Sequence, residues 1–227
     1  MPTFCTLVEG RRHDVNFLDD VPFSEGSYYV FDRGYVDWKR LFRIHTVGAW
    51  FVVRAKRGMR FYVSASRSVD KKTGLRCDQT IRLSSADGKR HYPIALRRIH
   101  YFDAATGQHL VLLTNNFSLP ALMIAEIYRR RWEIELFFRW IKQHLRLRGF
   151  FSTSPNGVAV QIWTAICAYL LVAIAKREMA LSNSLHQILQ VVSISALEKV
   201  PLPELLAAFD TTEDQTDTPN QLLLNGF

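Results

Sequence analysis

Apolar positions change their rhythm twice along the chain. Up to Arg57 they come in short blocks between turns. Pro2–Val8 reads as a strand, Val15 and Leu18 sit at helical spacing, and Pro22–Ser27 is turn chemistry. Tyr28–Phe31 is a four-residue β-rich run, the pattern of a buried strand, and it ends in Asp32-Arg33-Gly34-Tyr35. A helix is predicted from Val36 to Ile44, with Trp38, Leu41 and Phe42 at core spacing. Trp50–Arg54 then repeats the buried-strand pattern.

From Gly58 to Leu113 the period falls to two. Phe61–Ser64, Gln79–Leu83, Ile94–Tyr101 and His109–Leu113 alternate, and turns at Lys72-Thr73-Gly74, Asp87-Gly88 and Ala105-Thr106-Gly107 separate them. That texture predicts an antiparallel β lobe built from hairpins, with a Lys- and Arg-rich polar face. After Thr114 the helical period takes over. Ser118 is the expected N-cap and Pro120 the first position of one long helix, Pro120 to Leu147, which Arg148-Gly149-Phe150 ends. Val158–Ala175 is apolar for 18 residues, broken only by Gln161 and Thr164. It reaches the lower limit of a membrane span, but its alanines and polar breaks predict a buried helix. Leu185–Val192 and Leu202–Phe209 read as short helices, and Asp210–Asn220 as a solvated acidic tail. The element order predicts an α/β core interrupted by an insertion.

Composition sharpens this. The chain has 227 residues, 29 Lys+Arg against 21 Asp+Glu, and a net charge of +8. Residues 1–150 carry 26 of the cations and 14 of the anions, whereas residues 151–227 carry 3 and 7. An excess confined to two thirds of the chain fits a polyanion partner such as DNA or RNA, and charge alone fits a merely basic soluble protein equally well. Cys5, Cys77 and Cys167 are too few and too far apart for a disulfide framework or a zinc ribbon, which fits a reducing cytoplasm. The seven histidines form no metal-ligand spacing. Charges throughout residues 1–20 argue against a signal peptide.

Candidate chemistry concentrates in the long helix. Tyr128, Arg131, Glu135 and Lys142 are spaced three, four and seven apart. At about 100° per residue they share an arc of roughly 60°. Leu136, Phe137, Trp140 and Ile141 supply the opposite, core-facing side. A carboxylate in such a line can ligate a divalent metal, and Arg, Lys and Tyr can hold phosphates. The plain alternative is a solvated face with an Arg131–Glu135 ion pair, common on helices and worth about 0.3 kcal/mol. A magnesium site needs a further carboxylate, and Asp32, at the end of a buried strand, is the best candidate. Its plain alternative is to cap the helix that begins near Val36.

The pattern Tyr-(2)-Arg-(3)-Glu-(6)-Lys formed by Tyr128, Arg131, Glu135 and Lys142 resembles the signature of the DDE transposases of bacterial insertion sequences with the Y-R-E-K motif. Asp32-Arg33-Gly34-Tyr35 is similar to that family's second-aspartate motif, and Arg11-Arg12-His13-Asp14-Val15 to a segment just before it. The resemblance covers about residues 1–180. It implies a ribonuclease H-like mixed sheet with an inserted antiparallel β lobe. It also implies three carboxylates holding two Mg²⁺ (or Mn²⁺) ions, and phosphoryl transfer on double-stranded DNA at element ends and target by a homodimer. By motif position, Asp32 is the second carboxylate and Glu135 the third, both metal ligands. Tyr128, Arg131, Lys142 and Arg33 are the expected DNA contacts.

The family's first Asp lies on the first strand of the fold, whereas this chain begins at what reads as the third. Asp14, Asp19 and Asp20 lie off strand ends. The expectation is a copy incomplete at the N-terminus, with impaired or no activity. Its expected parts are a partial core (1–57), the β lobe (58–113), the site helix with the buried helix (114–180), C-terminal helices (181–209) and a disordered tail (210–227). Three other readings remain open: a non-catalytic DNA-binding or dimerising fragment that interferes with full-length transposase, an unrelated metal nuclease, and a membrane-associated protein.

Overall fold

The computed structural model of the chain describes residues 14–145, 149–195, 197 and 199–213. The expected strand Pro2–Val8, the Arg11–His13 stretch, Cys5, the end of the long helix at 146–148 and the tail beyond 213 lie outside the described residues.

One mixed sheet organises the first part of the chain. Its strands are β1 (Tyr28–Phe31), β2 (Trp50–Arg54), β3 (Phe61–Arg67), β4 (Leu75–Leu83), β5 (Leu96–Asp103) and β6 (Gln108–Thr114). The spatial order is β1-β2-β6-β5-β4-β3. β1 and β2 are parallel, with Val30 opposite Val52, and every other pairing is antiparallel. The strands of the inserted segment therefore extend the core sheet, because β6 pairs directly with β2. The apolar runs of β1 and β2 follow from cover on both sides: Phe51, Val52 and Val53 are fully buried.

Helix α1 (Trp38–Thr46) buries Leu41 and Ile44 on one face of the sheet, in a core with Val53, Ile81, Leu96 and Leu113. Helix α3 (Ala121–Arg129) buries Ile124, Ala125 and Tyr128 on the other face, against Val52, Ile99 and Leu112. Gly74 ends the turn before β4 with φ +92°, and a Cβ there would stand 2.5 Å from the Phe102 carbonyl oxygen. That turn requires glycine.

Four local expectations are corrected. Asp87-Gly88 is not a turn but part of helix α2 (Ala86–His91). The Ser85 hydroxyl accepts from Gly88 N–H and nucleates that helix. Ser118 does not cap α3. The Asn116 side chain accepts from the N–H groups of Ser118 and Leu119 and shapes the entry, leaving Pro120 at the cap position. The long helix is broken after Arg129, and α4 (Trp132–His144) follows. Arg131, Glu133 and Ile134 donate to carbonyls three residues back, the tighter bonding that ends an α-helix. Asp210–Glu213, read as the start of a disordered tail, belong to α7 (Leu202–Glu213).

A feature the sequence does not announce joins this sheet to α3. Arg97 and Asp78 are both buried and make a two-pronged ion pair, Nη2–Oδ2 at 2.7 Å and Nε–Oδ1 at 2.9 Å. The remaining Arg97 Nη1 donates to the carbonyls of Leu119 at 2.6 Å and Asn116 at 3.3 Å. One guanidinium thus fixes β4, β5 and the loop that launches α3.

The chain divides into two compact units, one ending at Leu136 and one running from Phe137. The second has two small cores. Phe137 and Ile141 pack with Ala165 and Ile166 of α5 (Pro155–Glu178), and Val172 packs with Ile188 and Val191 of α6 (Leu185–Ser195) and Leu206 of α7. Ser154 caps α5 through Gly157 N–H, with Pro155 just inside. The expectation that α5 is buried is corrected: only 17% of its most apolar window is covered, and Leu171 is 68% exposed. By length and composition α5 is long and apolar enough to cross a membrane.

Candidate active site

Asp32 stands where β1 ends and a 3-10 turn, Arg33–Tyr35, begins. Its side chain caps nothing, and the N-cap of α1 is Asp37, whose carboxylate accepts from Arg40 N–H at 3.0 Å. The capping alternative for Asp32 therefore falls to its neighbour, and the Asp32 carboxylate is turned to other use.

That use is visible across the sheet. The buried Tyr128, on the last turn of α3, donates its hydroxyl to Asp32 Oδ1 at 3.4 Å. The Arg131 guanidinium lies 5.8 Å from the Tyr128 ring centroid. Arg131 Nη1 donates to Glu135 Oε1 at 2.7 Å. Four of the predicted residues, Asp32, Tyr128, Arg131 and Glu135, are linked through the two that stand between the carboxylates. The break after Arg129 does not scatter them, because the tight turn keeps Arg131 over Tyr128 and within reach of Glu135.

The electrostatics follow the geometry. Burial pushes the Tyr128 hydroxyl above its ordinary value, and the Asp32 charge adds to this against the pull of Arg131 and Arg54. Burial works against the Arg131 cation, but its hydrogen bond to Glu135 and the charges of Tyr128, Glu135 and Asp32 outweigh that and raise it. Arg131 Nε is buried and has no hydrogen-bond partner among the described residues. One donor of the fork is therefore unspent in a cluster that already holds two carboxylates.

Arg33 is exposed directly after Asp32. Lys142 is exposed on α4, two turns beyond Glu135, and belongs to the second unit. A cleft of about 510 Å³ opens beside the cluster, lined by Tyr128, Arg131, Arg54, Arg129, Trp132 and the buried Asp103, among others. Nothing in the sequence pattern singled out Asp103, and Trp132, which lines the same cleft, is 48% exposed. The strand-ending position of Asp103, just before the Ala105-Thr106-Gly107 turn, is the signal it shares with Asp32. Trp140, expected on the core-facing side of the helix, packs against Tyr169.

Carboxylate oxygens are the donors a hard divalent ion takes, so Asp32 and Glu135 fit such an ion chemically. Among the described residues, however, no three His, Cys, Asp or Glu side chains group into a metal site.

The family profile described as Transposase DDE domain matches residues 1–171. A Sinorhizobium fredii protein named as a transposase, y4zB, is 36% identical over 180 residues, covering 78% of this chain and 50% of that protein. A Geobacillus stearothermophilus protein named as a transposase for insertion sequence element IS5377 is 31% identical over 176 residues, 75% of this chain and 45% of its own. A Synechocystis protein named for element IS4SA is 25% identical over 173 residues, 71% and 46%. The chain spans about half the length of these relatives. Proteins of this family work with divalent metal ions. With the mixed sheet, a strand-end aspartate and a helical glutamate drawn to one Tyr–Arg pair, the chain belongs to the DDE transposase family of bacterial insertion sequences.

Proposed function

We propose that the site built around Asp32 and Glu135 serves metal-dependent phosphoryl transfer on DNA, the cleavage and strand transfer of an insertion sequence. The observation that carries this is the Tyr128–Asp32 contact, which ties the strand-end carboxylate to the last turn of α3, from where Arg131 in the following turn reaches Glu135 at the start of α4. In this reading Asp32 and Glu135 hold Mg²⁺ (or Mn²⁺), which when bound activates a water or a 3′-hydroxyl and stabilises the leaving oxygen. Tyr128 orients the Asp32 carboxylate. Arg131, which lines the cleft, takes a phosphate oxygen of the strand at the site. Lys142 and Arg33, both exposed, hold the backbone further along. The partner is double-stranded DNA, as element ends and as target. A homodimer pairs the two ends, in the cytoplasm and away from membranes. The uncovered apolar side chains of α5 are surface that a second copy can cover.

Among the described residues no third acid joins Asp32 and Glu135, and two carboxylates hold a metal less firmly than three, so these residues by themselves support little activity in this reading. The same observation favours a second reading, a DNA-binding fragment that interferes with a longer transposase. The test is a plasmid cleavage and strand-transfer assay with Mg²⁺ or Mn²⁺, run beside calorimetric Mn²⁺ binding. Weak Mn²⁺ binding abolished by Asp32→Ala and by Glu135→Ala supports the site. Cleavage that survives Asp32→Ala sinks it.

A further inference from the structure

The sheet has a second polar surface, on the face turned away from α3. Alternate residues of β5 project to that face, so Arg98, His100 and Phe102 share it, while Arg97, Ile99 and Tyr101 face α3. Register adds Cys77 and Gln79 from β4 and His109 from β6. Helices α1 and α2 cover only the end of this face near Leu96, Ile81 and Leu113. The other end is open: Arg76 and His109 are exposed.

The open end is built as a row of cations and rings. The bulge between Leu75 and Cys77 turns Arg76 over the Phe102 ring, 5.6 Å from its centroid. Phe102 and His109 lie 4.8 Å apart. His109 Nδ1 and His100 Nε2 share one hydrogen bond at 3.2 Å. Arg98 reaches over Phe61 at 5.3 Å and donates to Cys77 Sγ and Gln79 Oε1. No carboxylate answers these charges from the strands. The acids of β3–β6 are Asp78 and Asp103, and both project to the α3 face, Asp78 on Arg97 and Asp103 in the cleft. The nearest acid of α2, Asp87, is bonded to His91, and Asp70, before β4, caps its own turn.

We propose that this face is a second docking surface for the phosphodiester backbone of duplex DNA, held by Arg76, Arg98 and the His100–His109 pair. The inference rests on the DNA-transfer reading above and adds a contact on the opposite side of the sheet from Asp32. Arginines held over rings are preorganised for phosphate, and among the described residues the strands bring no carboxylate to this face to take up their charge. His100 is held below its ordinary value by burial, then by His109, Arg98 and Arg76, so charge arrives on it as pH falls below the ordinary histidine range.

The test is anisotropy of a labelled duplex of about 20 base pairs of arbitrary sequence, in EDTA, over a salt series. Arg76→Glu weakens binding about tenfold and lowers the salt slope by about one, without lowering the melting temperature. Wild-type binding tightens from about pH 8 to about pH 5.5, and His100→Gln/His109→Gln flattens that profile. The double variant decides the matter if Arg76→Glu does not fold. Unchanged affinity and slope in Arg76→Glu, with loss in Arg131→Gln, overturn the second surface and leave the transfer reading standing. Absence of DNA binding by the wild-type chain overturns both.

Discussion

The Tyr128 hydroxyl and the Asp32 carboxylate meet at 3.4 Å although 96 residues separate them in the chain. Tyr128→Phe removes the donor and leaves the ring in its core. Asp32 is half-buried and keeps solvent contact, so the fold loses no more than about 1 kcal/mol. Mn²⁺ affinity, read by calorimetry, falls because the carboxylate loses its orientation. Unchanged affinity would show that Tyr128 does not position it.

Arg131 and Glu135 are 23% and 39% exposed, so their ion pair contributes about 0.5 kcal/mol or less. Glu135→Gln accordingly leaves the melting temperature within a degree or two while abolishing Mn²⁺ binding. A large fall in melting temperature would make Glu135 a structural residue.

Asp78 and Arg97 behave in the opposite way. Both are buried, and removing Asp78 leaves the Arg97 cation without its carboxylate. Asp78→Ala is expected to cost about 3–5 kcal/mol in urea unfolding. The entry loop of α3 loosens with it, because Arg97 also holds the Leu119 and Asn116 carbonyls. A cost near zero would mean that the sheet holds the loop without them.

Stability should fall in mild acid. Burial lowers His45, and the Asn115 side-chain amide stands 3.2 Å from its Nδ1, a contact that suits the neutral ring. Burial also lowers His100 and His144, each aided by a neighbouring histidine. Groups lowered on folding bind fewer protons folded than unfolded. Their contribution is therefore present above the unfolded value of about 6.5 and is lost as pH falls below it. Melting temperatures between about pH 7.5 and pH 5 test this, and His45→Gln should shrink the drop. A flat or rising profile would contradict it.

The sequence by itself determined the strands from Tyr28 onward, the strand-end place of Asp32 and the Tyr–Arg–Glu spacing. All are local: a four-residue apolar run, a period of two, a spacing of three and four. It misjudged what local pattern leaves open. Asp87-Gly88 reads as a turn until Ser85 caps a helix over it, and Pro120–Leu147 reads as one helix until its bonding tightens at Arg131. The apolar stretch of α5 predicts burial, yet hydrophobicity states only a preference for cover and names no neighbour. Tertiary structure alone decided that β6 joins β2, that Asp37 and not Asp32 caps α1, and that Asp78 and Asp103 turn toward α3 while Arg76 turns away. These are outcomes of register. A one-residue shift reverses every side chain of a strand, and only long-range pairing fixes which way each one points.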